Sequence, residues 1–167
     1  MEIRLLADAP GHVDTLAGWH HAQWGALYGD WSRDDAAAEL RAHAACRTRP
    51  TTLVAFDGDA LVGSVSLVDE DAPEFADRGD AWLASLYVIP AARGRGIGAA
   101  LARALVAHAA AQGVGQLWLF TPEHAAFYAR LGWTHVGAAA LRGTPVSLME
   151  KKICSEQISA TGGRVLA

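Results

Sequence analysis

The stretch that most constrains the fold spans residues 83–112. A near-continuous apolar run over 81–89 is closed by Pro90. Such a run reads as a strand buried on both faces. Arg93, Gly94, Arg95, Gly96, Ile97 and Gly98 follow, then an alanine-rich run to Gln112. Ile97, Leu101, Leu105 and His108 recur at helical spacing, and Gly113 suits the residue just past a helix end. A second apolar run over 117–120 comes next. Strand, helix and strand in that order predict a βαβ unit with two parallel strands. The glycines leave backbone N–H groups unshielded, and a helix N-terminus adds orphan donors and the positive end of its dipole. Such a turn suits phosphate oxygens. Arg93 and Arg95 place two positive charges beside it.

The flanking sequence completes a sheet around this unit. Residues 2–7 read as a strand that Pro10-Gly11 ends. A helix follows from about Val13, with one face at Leu16, Trp19, Gln23/Trp24 and Leu27 in steps of three and four. Ser32 is the expected N-cap of a second helix reaching about Arg47. Asp57-Gly58-Asp59 between apolar runs predicts a hairpin of 51–56 with 60–68. Pro122 suits the first turn of a short helix that Gly132 ends. Two further strands, 133–140 and 146–153, are expected around Arg142-Gly143-Thr144-Pro145. The predicted order is β-α-α-β-β-β-α-β-α-β-β. This is an α/β chain with a central mixed sheet of about seven strands and helices on both faces. One domain over 1–154 and a loose tail over 155–167 are expected.

Composition narrows the function. The net charge of −4 argues against a nucleic-acid partner. Cys46 and Cys154 offer neither a metal spacing nor a disulfide framework, so a cytoplasmic location is expected. His20 and His21 face different ways on a helix and suggest no metal site. No apolar run approaches the length of a membrane span. The loop 69–80 carries six acids, Asp69, Glu70, Asp71, Glu74, Asp77 and Asp80, against Arg78. An acidic rim of this kind attracts amines.

The glycine turn itself has several readings. No Gly-Lys-Ser/Thr follows, which excludes a Walker-type P-loop. Gly94 to Ala99 formally matches G-x-G-x-x-A, which would imply a nicotinamide-dependent oxidoreductase. Against that, Pro90 to Arg93 separate the first glycine from the strand, and the next strand ends Phe120-Thr121 where an acid is needed for the ribose. A turn serving only helix–strand packing is the plainest reading.

The Arg93-Gly94-Arg95-Gly96-Ile97-Gly98 turn resembles the Q/R-x-x-G-x-G/A turn of the GNAT acyl-CoA acyltransferase superfamily. Phe127-Tyr128-Ala129-Arg130-Leu131-Gly132-Trp133 is similar to that family's closing motif. The resemblance implies an acetyl-CoA-dependent N-acetyltransferase that needs no metal. It implies pyrophosphate binding by the backbone of Arg93, Gly94, Arg95, Gly96, Ile97, Gly98 and Ala99. It implies pantetheine alongside Leu86, Tyr87 and Val88, with the Leu86 N–H as oxyanion donor. Tyr128 falls on the family's general-acid tyrosine.

A base is less evident, because residues 81–85 carry no titratable side chain. Water held by Ser85, the loop acids Asp80 and Glu70, and His20, His21 and His124 are the candidates. Trp24 and Trp31, with Glu70 and Asp80, are candidate acceptor contacts. Trp19, Trp118 and Trp133 read as core residues. The expected acceptor is a primary amine of a small molecule, such as a polyamine or aminoglycoside-like amine, and the enzyme a monomer or homodimer. A protein N-terminus or lysine as acceptor, and a non-catalytic acyl-CoA-binding module, are the alternatives.

Overall fold

The computed structural model describes residues 1–154, and the expected tail at 155–167 lies outside the described residues. The elements are β1 (Glu2–Leu5), α1 (Val13–Tyr28), α2 (Arg33–Ala44), β2 (Thr51–Asp57), β3 (Ala60–Val68), β4 (Trp82–Val88), α3 (Ile97–Ala111), β5 (Gln116–Thr121), α4 (Ala125–Arg130), β6 (Thr134–Leu141) and β7 (Thr144–Lys152). They form a seven-stranded sheet in the order β1-β2-β3-β4-β5-β7-β6. β4 and β5 are parallel; the other neighbours are antiparallel.

Local chemistry accounts for most boundaries. Gly58 takes φ +60° and turns β2 into β3. Ser32 and Asp35 form a reciprocal capping box: the Asp35 N–H donates to Ser32 Oγ at 3.0 Å, and the Ser32 N–H to Asp35 Oδ2 at 2.8 Å. Pro122 departs from expectation. It lies three residues before α4, and Thr121 Oγ1 accepts from the His124 N–H at 3.0 Å to start the turn.

Period-two alternation sends successive strand residues to opposite faces. Leu53, Ala55, Leu83, Leu117 and Leu119 pack with Leu101 and Leu105 of α3. Val54 and Phe56 pack under Leu16 and Leu40 of α1 and α2. Trp82, Leu148 and Phe75 fill the same side farther along, with Trp118 and Phe120 against them. The run at 81–89 is buried on both faces only as far as Ala84; from Ser85 the side chains become half-buried. The neighbouring strand has moved away there, as described below.

Two histidines sit inside the α1/α2 layer. His20 Nε2 lies 2.9 Å from Ser64 Oγ. His43 Nδ1 lies 2.9 Å from Thr52 Oγ1, which lies 2.8 Å from Ser66 Oγ. His20 thus occupies the inner face of α1, while Trp19 is only partly buried. Burial pushes both histidines down to about 4, and the neighbouring His43 adds to the effect on His20.

Because the folded pKa is depressed, the unfolded chain binds protons that the fold refuses as pH drops from 6.5 toward 4. Stability is therefore complete above pH 6.5, is lost through that window, and levels off below it. At pH 5 the loss should reach about 2 kcal/mol per histidine. Denaturant midpoints at pH 7 and pH 5 measure it, and His43→Gln should remove roughly half of the difference.

Candidate active site

The site begins where the sheet divides. β4 and β5 pair at one position, Trp82 with Trp118, and the Trp118 N–H donates to the Ala81 carbonyl at 3.0 Å. Beyond it β4 continues with β3, and β5 continues with β7 through Thr121. Ser85 takes φ +52°, a left-handed conformation uncommon for serine. Ala84 stays opposite Ser66 and Tyr87 opposite Ser64, so Ser85 and Leu86 together face Val65. This β-bulge takes a peptide unit out of the β3–β4 ladder at the level where β5 has already left β4. Two cavities flank the division, and both are lined by Leu86, His124 and Tyr128.

The first cavity is a cleft of about 440 Å³ bounded by Leu86, Val88, Arg93, Gly94, Gly96, Ile97, Gly98 and Ala99 with Phe127, Tyr128 and Arg130. Gly94 and Gly96 take φ +76° and +79°, and a Cβ at either would meet nothing within 4 Å, so the turn borders open space. Gly96 caps α3 without any side-chain bond, and the first turn of α3 carries no acid. The first intrahelical bond runs from the Ala100 N–H to the Gly96 carbonyl at 3.0 Å, so the Ile97, Gly98 and Ala99 N–H groups precede the helical ladder. Gly98 leaves room for Phe127, whose ring would stand 3.6 Å from an added Cβ. A pyrophosphate fits this open, uncompensated helix terminus.

The two arginines of the turn divide. Arg93 stays on the cleft wall: its Nε donates to the Val88 carbonyl at 2.8 Å and its guanidinium lies 5.6 Å from the Tyr87 ring centre. Arg95 turns away, pairing with Asp57 at 2.8 Å outside the cleft lining. Arg130, one helical turn beyond Phe127, lines the cleft in its stead, although nothing in its sequence context marks it out. Tyr87 points its ring toward α1, 5.6 Å from Trp19 and 6.2 Å from Trp24, and lines neither cavity.

The second cavity, about 220 Å³, is walled by Trp24, Tyr28 and Trp31 from the α1 region and by Ser85, Leu86 and Phe120 from the divided strands. Trp24 and Trp31 both line this cavity. Glu70 and Asp80 do not line it. Glu70 is exposed, and Asp80 lies 3.9 Å from Arg49 on a different part of the surface. The short turn at Pro73–Phe75, anchored by buried Phe75 against Trp82 and Phe120, brings Asp71 inward instead. Glu39 joins it from α2, and its Oε1 accepts from Trp31 Nε1 at 2.9 Å.

Neither acid stands out in the sequence. Asp71 is one of six acids in its loop, and only the fold shows that it is half-buried while the other five are exposed. Desolvation, with the Glu39 charge second, pushes Asp71 up to about 7. Partial burial raises Glu39 as well, against the Trp31 hydrogen bond. Tyr128 is nearly buried, at 7% exposure, and burial followed by the Asp71 charge holds its phenol well above the usual range.

The histidine candidates separate cleanly. His20 belongs to the buried network with Ser64, and His21 packs beside Trp31 with ring centres 6.0 Å apart. His124 alone lines both cavities. Cys46 and Cys154 line neither. Among the described residues, no cluster of His, Cys, Asp or Glu could hold a metal ion, and no helix is long and apolar enough to cross a membrane.

The profile of the Acetyltransferase (GNAT) family matches residues 16–133. No curated protein matches the sequence. Among solved structures, the chain is similar to an aminoglycoside 6'-N-acetyltransferase complexed with coenzyme A, with TM-score 0.70, 22% identity, and coverage of 91% of this chain and 97% of that one. The aminoglycoside 6'-N-acetyltransferase from Enterococcus faecium gives 0.67 and 20%, covering 91% and 97%. An acetyltransferase of the GNAT family from Streptococcus pneumoniae gives 0.65 and 20%, covering 92% and 99%. At these identities the likeness is one of fold. The family profile, matched across the divided strands, the glycine turn and the Tyr128 helix, shows that the chain belongs to the GNAT acetyltransferases, enzymes whose acyl donor is acetyl-CoA.

Proposed function

We propose that the protein transfers an acetyl group from acetyl-CoA to a primary amine of a small molecule within a ternary complex. The observation that carries this reading is the meeting of the two cavities at Leu86, His124 and Tyr128. One cavity ends at a phosphate-binding helix terminus, and the other is acidic and aromatic. Donor and acceptor can therefore approach one point from opposite sides, which converts a bimolecular step into a positioned one.

Bound in the cleft, acetyl-CoA supplies an acyl group activated as a thioester. The N–H groups at Gly96 to Ala99, with Arg93 and Arg130 beside them, hold its phosphates. Backbone N–H at the Ser85–Leu86 bulge donates to the carbonyl oxygen as charge gathers there. Asp71 takes the proton that an ammonium must lose before its nitrogen can attack. Its surroundings favour proton transfer. Glu39 from α2, Tyr28 from α1 and Tyr128 and His124 from the α4 segment enclose it, and a base near pKa 7 is half-ionised at neutral pH. Tyr128 stays protonated at neutral pH, so its hydroxyl can donate a hydrogen bond to the departing sulfur and offset the charge gathering there. Ser85 lines the acceptor pocket beside this path, where its hydroxyl can hold a water.

Thiol release from acetyl-CoA across a panel of amines, with a lysine-containing peptide alongside, tests the reading. Acetylation of small amines supports it; binding of acetyl-CoA without turnover on any amine would favour an acyl-CoA-binding module.

Three variants probe the parts. Gly96→Glu places bulk and negative charge where phosphates approach, and should weaken acetyl-CoA binding about a hundredfold by calorimetry. Tyr128→Phe should lower kcat about 10- to 100-fold while leaving the acetyl-CoA KM within about twofold. Asp71→Asn should cut kcat/KM by about 10²-fold or more. Protonation of Asp71 silences the base, so wild-type kcat/KM should fall as pH drops below about 7. That acidic limb should be missing from the Asp71→Asn profile.

A further inference from the structure

We infer that the preferred acceptor is a dication, its reacting ammonium held by Asp71 and a second cationic group held at the pocket rim by Glu39 between the faces of Trp24, Tyr28 and Trp31. The inference rests on the amine-acetyltransferase reading above and specifies its acceptor. Two carboxylates from separate elements line one small pocket. Neither lysine nor arginine lines it among the described residues, so nothing in the wall balances them. The arginine beside the Tyr28 turn, Arg142, is already engaged, donating to the Tyr28 carbonyl and lying 3.9 Å from Glu74.

The two acids occupy different depths. Asp71 is the inner one, half-buried where Glu39 is exposed. Glu39 is exposed at the rim, and the Trp31 indole N–H at 2.9 Å fixes its carboxylate in place. The aromatic side chains around them offer faces to alkylammonium groups. A monocation at Asp71 leaves Glu39 uncompensated. A dication answers both charges and also relieves their mutual repulsion. Because Glu39 touches the second cation and not the reacting nitrogen, its contribution lies in selection among amines.

Steady-state thiol release with n-alkylamines and α,ω-diaminoalkanes of matched chain length tests this. Wild-type kcat/KM should be at least tenfold higher for the best diamine than for its matched monoamine. Glu39→Gln should bring that ratio to about one, and Trp31→Phe, which removes the hydrogen bond holding the carboxylate, should lower it part of the way. Thermal melting of each variant confirms that it folds. Equal kcat/KM for the two series in the wild type, or a diamine preference that survives Glu39→Gln, would overturn the dication site while leaving the acetyltransferase standing. Acetylation of the lysine peptide with neither alkyl series turned over would also overturn it. Failure of every amine despite acetyl-CoA binding would take down the parent reading with it.

Discussion

The site depends on the single pairing between β4 and β5. Parallel neighbours normally share a ladder along their length. Here Trp82 and Trp118 hold the strands together at one end, their ring centres 6.3 Å apart. Phe75 stacks on Trp82 at 6.2 Å, and Phe120 lies 6.4 Å from the same ring. Buried aromatic area on one face and the Leu101 and Leu105 side of α3 on the other fix this end of the fork. Past it, each strand satisfies its hydrogen bonds on its outer side only. The Ser85 bulge also interrupts the β3–β4 ladder at this level, leaving β4 backbone groups beside the cavity for water or a ligand to satisfy.

Electrostatics gives the fork two ends of opposite character. On the α3 side, glycine-lined N–H groups, Arg93 and Arg130 make a positive terminus. On the α1 side, Asp71 and Glu39 make a negative pocket. Tyr128 stands between them, neutral and nearly dry. Opposite charges are thus drawn to opposite sides, and the two cavities share a wall at Leu86 and Tyr128.

The acidic pocket is held from its edges. Arg49 spans both ends of the 69–80 loop, at 2.6 Å from Asp69 and 3.9 Å from Asp80. Arg142, at the β6–β7 turn, contacts Glu74 in the middle of the loop and the last turn of α1. Exposed ion pairs contribute little individually. Their effect here is on position: with Phe75 buried beneath, they restrict a loop whose sequence is otherwise fit for solvent. Asp71 is carried inward as a consequence, and burial, followed by the Glu39 charge, raises its carboxyl above the usual carboxylate range.

Local chemistry made much of this chain legible in its sequence. The β2–β3 turn, the Ser32 cap, the α3 phosphate terminus and the Phe127-Tyr128 segment are each written within a few consecutive residues, because φ preferences, caps and helical spacing act over that range. Those features, with the family resemblance, were enough for the fold. The acceptor side could not be read this way. Its walls come from α1, α2, the 69–80 loop, the divided strands and the approach to α4, and no local pattern distinguishes Asp71 from Glu70 or Asp80. Arg95 shows the converse: it has the right place in the motif, yet Asp57, distant in sequence, takes its charge. Sequence determined where an open, glycine-lined helix N-terminus stands, since that property is local. Tertiary structure alone decided which carboxylate of the 69–80 loop is drawn into the pocket, since burial is set by elements that meet only when the chain has folded.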